Sequence, residues 1–403
     1  MAEKTRNTWW QAPRRIADRI DDRRVSFLEL FYDLVFVVII SEIAHRLATH
    51  MDGHGLLVYV GLFTVVWWAW LNGATYHNLH GNNDLRTRVF TFLQMIAVAS
   101  MAVFAHGAVG EYSRQFAIAY AALQVILAFL WFTTGLSDPD HRPLSLPYTA
   151  GVLVSAALFV VSAFVAEELR YTLWLVAMIV VLIGLQGMMF LIARLNPSAQ
   201  EQMEQSFTPD DSGVERFGLF TIIVLGEVIV GVVRGVIGHE ELNWMVGATA
   251  ALGMLISIGL WWNYFDFLSA HMPKPGAFVT TSWIYLHLPL TMGIAAAGAA
   301  ILNAVELSPD APDPGTRFIL VGSVALKLFT ICAIGLLIDG PELHARIRRA
   351  ARWFALGSGV AAIGLGFTGL PIVPLLASLV ALLLIPVAAG FVVLVRNHLP
   401  EAS

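Results

Sequence analysis

Residues Phe27–Ala48, FLELFYDLVFVVIISEIAHRLA, decide how this chain is read. The stretch is apolar enough to cross a bilayer, which needs about 20 mostly apolar residues. Yet it carries Glu29, Asp33, Glu42, His45 and Arg46. An ionisable side chain held at depth is costly unless it is paired or hydrated. Glu29 and Arg46 can sit at the two interfaces, which leaves Asp33 and Glu42 deep. Two deep carboxylates on one span need a polar interior to face, and the rest of the chain has to supply it.

Composition supports that setting. Of 403 residues 57% are hydrophobic and 13% charged, with a mean hydropathy of +0.71. A soluble domain carries about 25% charge, so the chain reads as an integral membrane protein with the bilayer as its first partner. The single cysteine, Cys332, excludes an internal disulfide. No nucleic-acid motif is present. Residues 1–24 lack the apolar core of a signal peptide. They hold seven Lys or Arg, and Ile16 and Ile20 lie one helical turn apart. That pattern fits a short amphipathic helix on the membrane surface or a flexible basic tail.

After the first span, hydropathy predicts spans near 56–76, 89–109, 115–136, 148–166 and 171–193. A polar stretch from Asn196 to Val214 follows, then spans near 216–237, 244–268, 278–302, 317–338, 351–370 and 374–395. The expected fold is all-α and polytopic, with about twelve transmembrane helices. If the N-terminus is inside, eighteen Lys and Arg fall on the cytoplasmic side and five outside, with Lys327 within a span. This bias predicts cytoplasmic N- and C-termini in a multi-pass cell (inner) membrane protein.

The halves are also alike. Span 1 reads ELFYDLVFVVIISE and span 7 ERFGLFTIIVLGE. Span 2 has Trp67-Trp68 and Asn72, and span 8 has Trp261-Trp262, Asn263 and Asp266. Gln94 corresponds to His287, and Gln124 to Lys327. A six-span unit crosses an even number of times, so its copies insert in the same direction, as parallel repeats about an axis along the membrane normal. The expected organisation is a segment 1–24, a first six-helix repeat 25–194, a linker 195–214 and a second repeat 215–397.

The candidate pathway residues for an ion, proton or substrate are Glu29, Asp33, Glu42, Glu227, Arg234, His287 and Lys327. Gln94, Asn263, Asp266, Glu215 and Arg216 form a supporting polar set. Glu29 and Asp33 are four apart and share a helix face. Glu227 and Arg234 are seven apart, again on one face, so Arg234 is a candidate counter-ion or anion contact. A desolvated carboxylate can trade a proton, the property a proton-coupled carrier exploits. The alternative is that these groups pair across helices and serve packing. His106 and His287 are single histidines inside spans, with Pro289 following the latter. Lys327 is expected to reach a carboxylate or to snorkel. Gly357, Gly359, Gly364, Gly366 and Gly369 give span 11 a small-residue surface. His77 and His80 are three apart, but without a matched Cys or carboxylate they form no metal motif. No acyl-transfer constellation, phosphate loop or zincin motif is present. The expectation is no enzyme, no cofactor, no metal and no nucleic-acid partner.

LELFYDLVFVVIISEIA, YHNLHGNNDLRTRVFTFLQM and ERFGLFTIIVLGEVIVGV together resemble the bacterial low-temperature-requirement A family, over nearly the whole chain. The resemblance reaches Glu29, Leu30, Phe31, Asp33 and Leu34, then Asp84 and Arg88, then Glu215, Arg216, Leu225, Gly226 and Glu227. It implies a polytopic inner-membrane protein and a link to growth in the cold, and no established substrate. At the inner end of span 2 this chain has the His-rich YHNLHGNN, where the family usually has a further acidic or polar residue. Phe31-Tyr32-Asp33 is also similar to the Phe-Ser-Asp signature of six-plus-six-helix potassium channels, with Tyr in place of Ser. The second half has Phe217-Gly218-Leu219 and no acid there. The leading expectation is a proton- or cation-coupled secondary transporter using Asp33, Glu42 and Glu227. A cation channel and a non-transporting protein of cold adaptation are the alternatives.

Overall fold

The computed structural model describes residues 9–18, 23–208, 210–239, 243–269, 271–306, 312–340 and 342–398. Among them the regular structure is helical, apart from one isolated bridge between Pro273 and Ile338. In chain order the helices are α1 (Phe27–Thr49), α2 (Gly53–His80), α3 (Leu85–Ala105), α4 (Ser113–Ser137), α5 (Arg142–Ser162), α6 (Glu167–Ile179), α7 (Leu185–Leu195) and α8 (Pro197–Ser206). Then come α9 (Asp211–Ile237), α10 (Trp244–Phe265), α11 (Ala277–Glu306), α12 (Pro314–Leu337), α13 (Glu342–Leu365) and α14 (Ile372–His398). A π-helical stretch, Val180–Gly184, joins α6 to α7, so the two form one rod, Glu167–Leu195. Helices are the expected solution in lipid, because they satisfy their own backbone.

Among the described residues, ten helices are long and apolar enough to span a membrane: α2 to α5, the α6–α7 rod, α9 to α12, and α14. Helices α1 and α13 are as long but more highly charged. The first carries Glu29, Asp33, Glu42 and Arg46, the other Arg346, Arg348, Arg349 and Arg352. Exposed Ile96, Val103, Leu175 and Ile183 suit a lipid-facing surface. The polar stretch after Asn196 holds α8, capped by the Asn196 side chain on the amides of Ser198 and Ala199.

The chain forms two compact units, residues 1–42 with 64–213, and residues 43–63 with 214–403. In the first, α3 to α6 pack as sequence neighbours around clusters such as Tyr76, Leu79, Leu130 and Trp131. The N-terminal segment belongs to this unit, and its described part is a strap ending in a short 3-10 turn, Ile16–Asp18. Ile16, one end of the predicted amphipathic helix, opens that 3-10 turn, and Ile20, the other, lies outside the described residues.

The strap closes two helix ends. An α-helix leaves its last four carbonyls without intrahelical donors. Here His77 O accepts from Gly81 N and Arg23 Nη1, Asn78 O from Arg14 Nη2, Leu79 O from Arg14 Nε, and His80 O from Arg14 N. The start of α3 is treated likewise. Leu85 N donates to Trp9 O, and the Asp84 carboxylate accepts from Thr87 N and from Gln11 N at 2.8 Å. Burial works against that carboxylate, but the hydrogen bonds and the nearby Arg86 outweigh it and hold it below the usual range.

In the second unit α11 packs on α12, α12 on α13, α13 on α14 and α14 on α10. Every residue of α11 from Leu290 to Leu302 is buried. The run is rich in Ala and Gly, which lets backbones approach closely. A Cβ on Gly231 of α9 would land on the Gly298 carbonyl, and one on Gly298 would meet Glu227 O at 2.9 Å. Of the five glycines from Gly357 to Gly369, Gly359 packs against Phe329 and Gly366 against Phe318, while Gly357, Gly364 and Gly369 face open space. Only part of the expected small-residue surface is therefore a contact.

Gly231→Val should destabilise the protein by about 1–3 kcal/mol through overpacking. Gly226→Ala, where an added Cβ meets nothing within 4 Å, should be neutral or stabilising; thermal unfolding in detergent reads both. Asp84 has a depressed folded pKa, so its contribution is complete above its ordinary 3.8 and is lost as pH falls below that value. Hydrogen exchange at Gln11–Asp18 should accelerate in that acid window, and at neutral pH in Asp84→Ala.

Candidate functional site

In the first unit the buried polar residues of α1, α2 and α3 interlock. Asp33 is fully buried and accepts from the indole Nε1 of Trp70 at 2.8 Å. Tyr32, one residue earlier, donates to Gln94 Oε1 at 3.2 Å, and Gln94 Nε2 returns to Phe90 O. Gly73 leaves the room that the Tyr32 hydroxyl occupies. One turn further along α2, His77 Nε2 meets Thr91 Oγ1 at 2.9 Å. Tyr32 and Trp70 lie outside the predicted pathway and supporting sets, yet both take part. Their signal was available, because a buried carboxylate needs a donor and tryptophans were already within reach in span 2.

Glu29 has a different occupation. Its Oε2 accepts from Ser26 N at 2.9 Å and Ser26 Oγ at 2.8 Å, while Ser26 Oγ accepts from Glu29 N. This is a capping box, Ser-x-x-Glu ahead of an apolar run, and the sequence shows it. Arg23 Nη2 adds an ion pair at 2.7 Å to the same oxygen. Glu42 lies half-buried near the other end of α1.

In the second unit Glu227 of α9 is buried within electrostatic reach of the Tyr59 hydroxyl, which donates to Met292 O at 2.6 Å. Arg234, seven residues on, is exposed. A shared face by spacing therefore does not give the two a shared environment. His287 is buried, with Nε2 3.1 Å from the Tyr264 hydroxyl, Nδ1 2.8 Å from Trp283 O, and the rings of Phe217 and Trp283 against it. His106, by contrast, is exposed at the C-cap of α3, in ring contact with Tyr112.

Lys327 lies wholly inside the second unit, and its Nζ has no hydrogen-bond partner among the described residues. It neither reaches a carboxylate there nor snorkels, because α11 and α13 pack along α12. Asn263 is also fully buried. Its Nδ2 donates to Gly259 O and Leu383 O, and its Oδ1 has no partner among the described residues. Asp266 and Glu215 are exposed, the former accepting from Trp262 Nε1, and Arg216 is buried. Among the described residues no group of three His, Cys, Asp or Glu has a metal-binding arrangement.

The family described as "Bacterial low temperature requirement A protein (LtrA)" matches residues 24–395. A curated relative from Rhizobium meliloti (strain 1021), named "Uncharacterized protein RA0937", is 26% identical over 291 residues, covering 69% of this chain and 68% of that protein. No solved structure matches.

The capping geometry separates Glu29 from the deeper acids. Ser26→Ala should lower stability by about 0.5–2 kcal/mol, and Glu29→Gln should lower the melting temperature as well. A Glu29→Gln protein with unchanged melting temperature would remove the capping assignment.

Proposed function

The chain belongs to the bacterial low temperature requirement A family, and on that premise we propose that it is a secondary transporter coupled to protons or another small cation. The observation that carries this reading is the placement of Asp33 and Glu227. Each is enclosed by protein on a long helix, and the two lie in different compact units. Acids at such positions mark ion or proton pathways by default. Glu42, half-buried between them in sequence, is the third member of the set.

The other members are assigned by what surrounds them. His287 with Tyr264 is a hydrogen-bonded pair that can hold or pass a proton at Nε2. Lys327, an amine with no acceptor among the described residues, is a second site where a proton can be gained or lost. Glu29, engaged by Ser26 and Arg23, anchors α1 at its start. The arrangement we favour counts α1 and α13 with the ten apolar helices, as two parallel six-helix repeats. Both termini then face the cytoplasm, and the bilayer is the inner membrane. The cation count and the repeated Glu-x-Phe openings at Glu29 and Glu215 support it. A role in growth at low temperature follows from the family's description.

Proteoliposomes loaded with a pH-sensitive dye test the reading under imposed proton and Na⁺ gradients. Wild-type protein should carry a saturable flux, and Asp33→Asn and Glu227→Gln should each reduce it at least about tenfold. Glu204→Gln, on the exposed face of α8, should not. Wild-type flux in both acid variants would overturn the assignment, and discrete conductance steps would mark a channel.

A further inference from the structure

Helices α4, α5 and the α6–α7 rod of the first unit pack in layers. In one, the Tyr120 and Phe159 ring centroids are 4.3 Å apart, and Phe159 stacks on Trp174 at 5.4 Å. In a second, Ala128, Val152 and Leu185 pack together. The level between them takes Gln124 from α4, one turn from both Tyr120 and Ala128. From α5 it takes Ser155, between Val152 and Phe159, and from the rod Met178 and Val181, between Trp174 and Leu185. Residues three and four apart lie on one helix face, so Gln124 and Ser155 point into the same three-helix core.

Gln124 is 3% exposed and Ser155 0%. Gln124 Oε1, Gln124 Nε2 and Ser155 Oγ have no hydrogen-bond partner among the described residues. The Tyr120 hydroxyl lies beside Gln124 and donates to the Met178 sulfur at 3.8 Å, a weak acceptor. The rod is irregular at this level. Leu185 N donates to Val180 O, five residues back, which makes Val180–Gly184 wider than an α turn. Such turns are found mostly at functional sites. Leaving polar atoms dry in an apolar core is expensive, and here three of them are gathered at one level beside the wide turn.

We infer that this layer is a binding site for water, with one molecule held by Gln124 and Ser155 against the wide turn. A buried water makes about three hydrogen bonds, and three side-chain atoms here lack a partner. Their chemistry selects the occupant. Gln124 Nε2 only donates and Gln124 Oε1 only accepts, so the occupant has to accept and donate at once. A bare cation would leave Nε2 unsatisfied, and an anion would leave Oε1 unsatisfied. None of the residues in the three layers is acidic, and an ion without a countercharge is costly at depth. Ordering a neutral water costs little by comparison. A water beside a π-helical turn also makes this the point where the rod bends, since kinks form at such turns and where water enters the backbone ladder. The inference is independent of whether the chain transports anything.

Brief X-ray radiolysis of the purified full-length protein in detergent, read by mass spectrometry, tests the site. Hydroxyl radicals formed from a bound water oxidise the side chains beside it, and buried Met178 is the reporter. Met101, fully buried on α3 in the same unit, is the comparison. In wild type Met178 should gain oxygen at least about tenfold faster than Met101. Gln124→Leu with Ser155→Ala should bring it down to the rate of Met101. Ser155→Ala alone, read by thermal unfolding, decides the matter if the double variant does not fold. Removing a hydroxyl that holds a water should lower the melting temperature, whereas removing a dry, unpartnered one should raise it. A raised melting temperature in Ser155→Ala would overturn the water, and so would wild-type Met178 reacting as slowly as Met101. A wild-type melting temperature raised by NaCl and not by choline chloride, with the difference lost in Gln124→Leu, would assign the layer to a cation and overturn the water as well.

Discussion

The hydrogen bond from Trp70 Nε1 to Asp33 expresses the constraint on which much of the first unit depends. A carboxylate removed from water has to be given donors, because an unpartnered buried charge is far more costly than a neutral group. Placing a tryptophan donor on α2 opposite Asp33 fixes how these two helix segments face one another. The neighbouring contacts follow from that facing: Tyr32 reaches Gln94, and the ring of His77 lies against Tyr32 while its Nε2 reaches Thr91. Polar satisfaction and apolar packing specify the same arrangement here, and such networks hold a unique packing when every member is engaged.

The basic residues obey a related rule at the helix ends. Arg14 and Arg23 close the carbonyl end of α2. Arg170 donates to Ser162 O, Val165 O and Ser113 Oγ, and Arg317 to Thr368 O and Leu370 O. Each of these cations acts as a structural clamp, since carbonyls at a helix terminus need donors. The second unit is organised more by size than by charge. Its central helix, α11, is Ala- and Gly-rich where α9 approaches, and that approach sets the backbone position from which Glu227 projects. Lys327 is the departure from both patterns, a buried cation-forming group with no acceptor among the described residues. Groups that break a local rule in this way are where function is to be sought.

Sequence alone determined the all-helical character, the family and ten of the twelve expected apolar spans. These follow from hydropathy and from motifs that are contiguous in the chain. It also held the capping box at Ser26 and Glu29, a four-residue signal. Only the tertiary structure decided which polar residues are partners and which are not. Glu227 and Arg234 share a face by spacing, yet one is buried and the other exposed. His287 is enclosed by aromatic rings while His106 lies open, and Arg348 turned out to be buried where a count of cations saw only a basic helix end. The reason is physical: spacing sets the direction of a side chain about its own helix axis, whereas its burial and its partners depend on where neighbouring helices begin, end and approach, and those neighbours are distant in sequence.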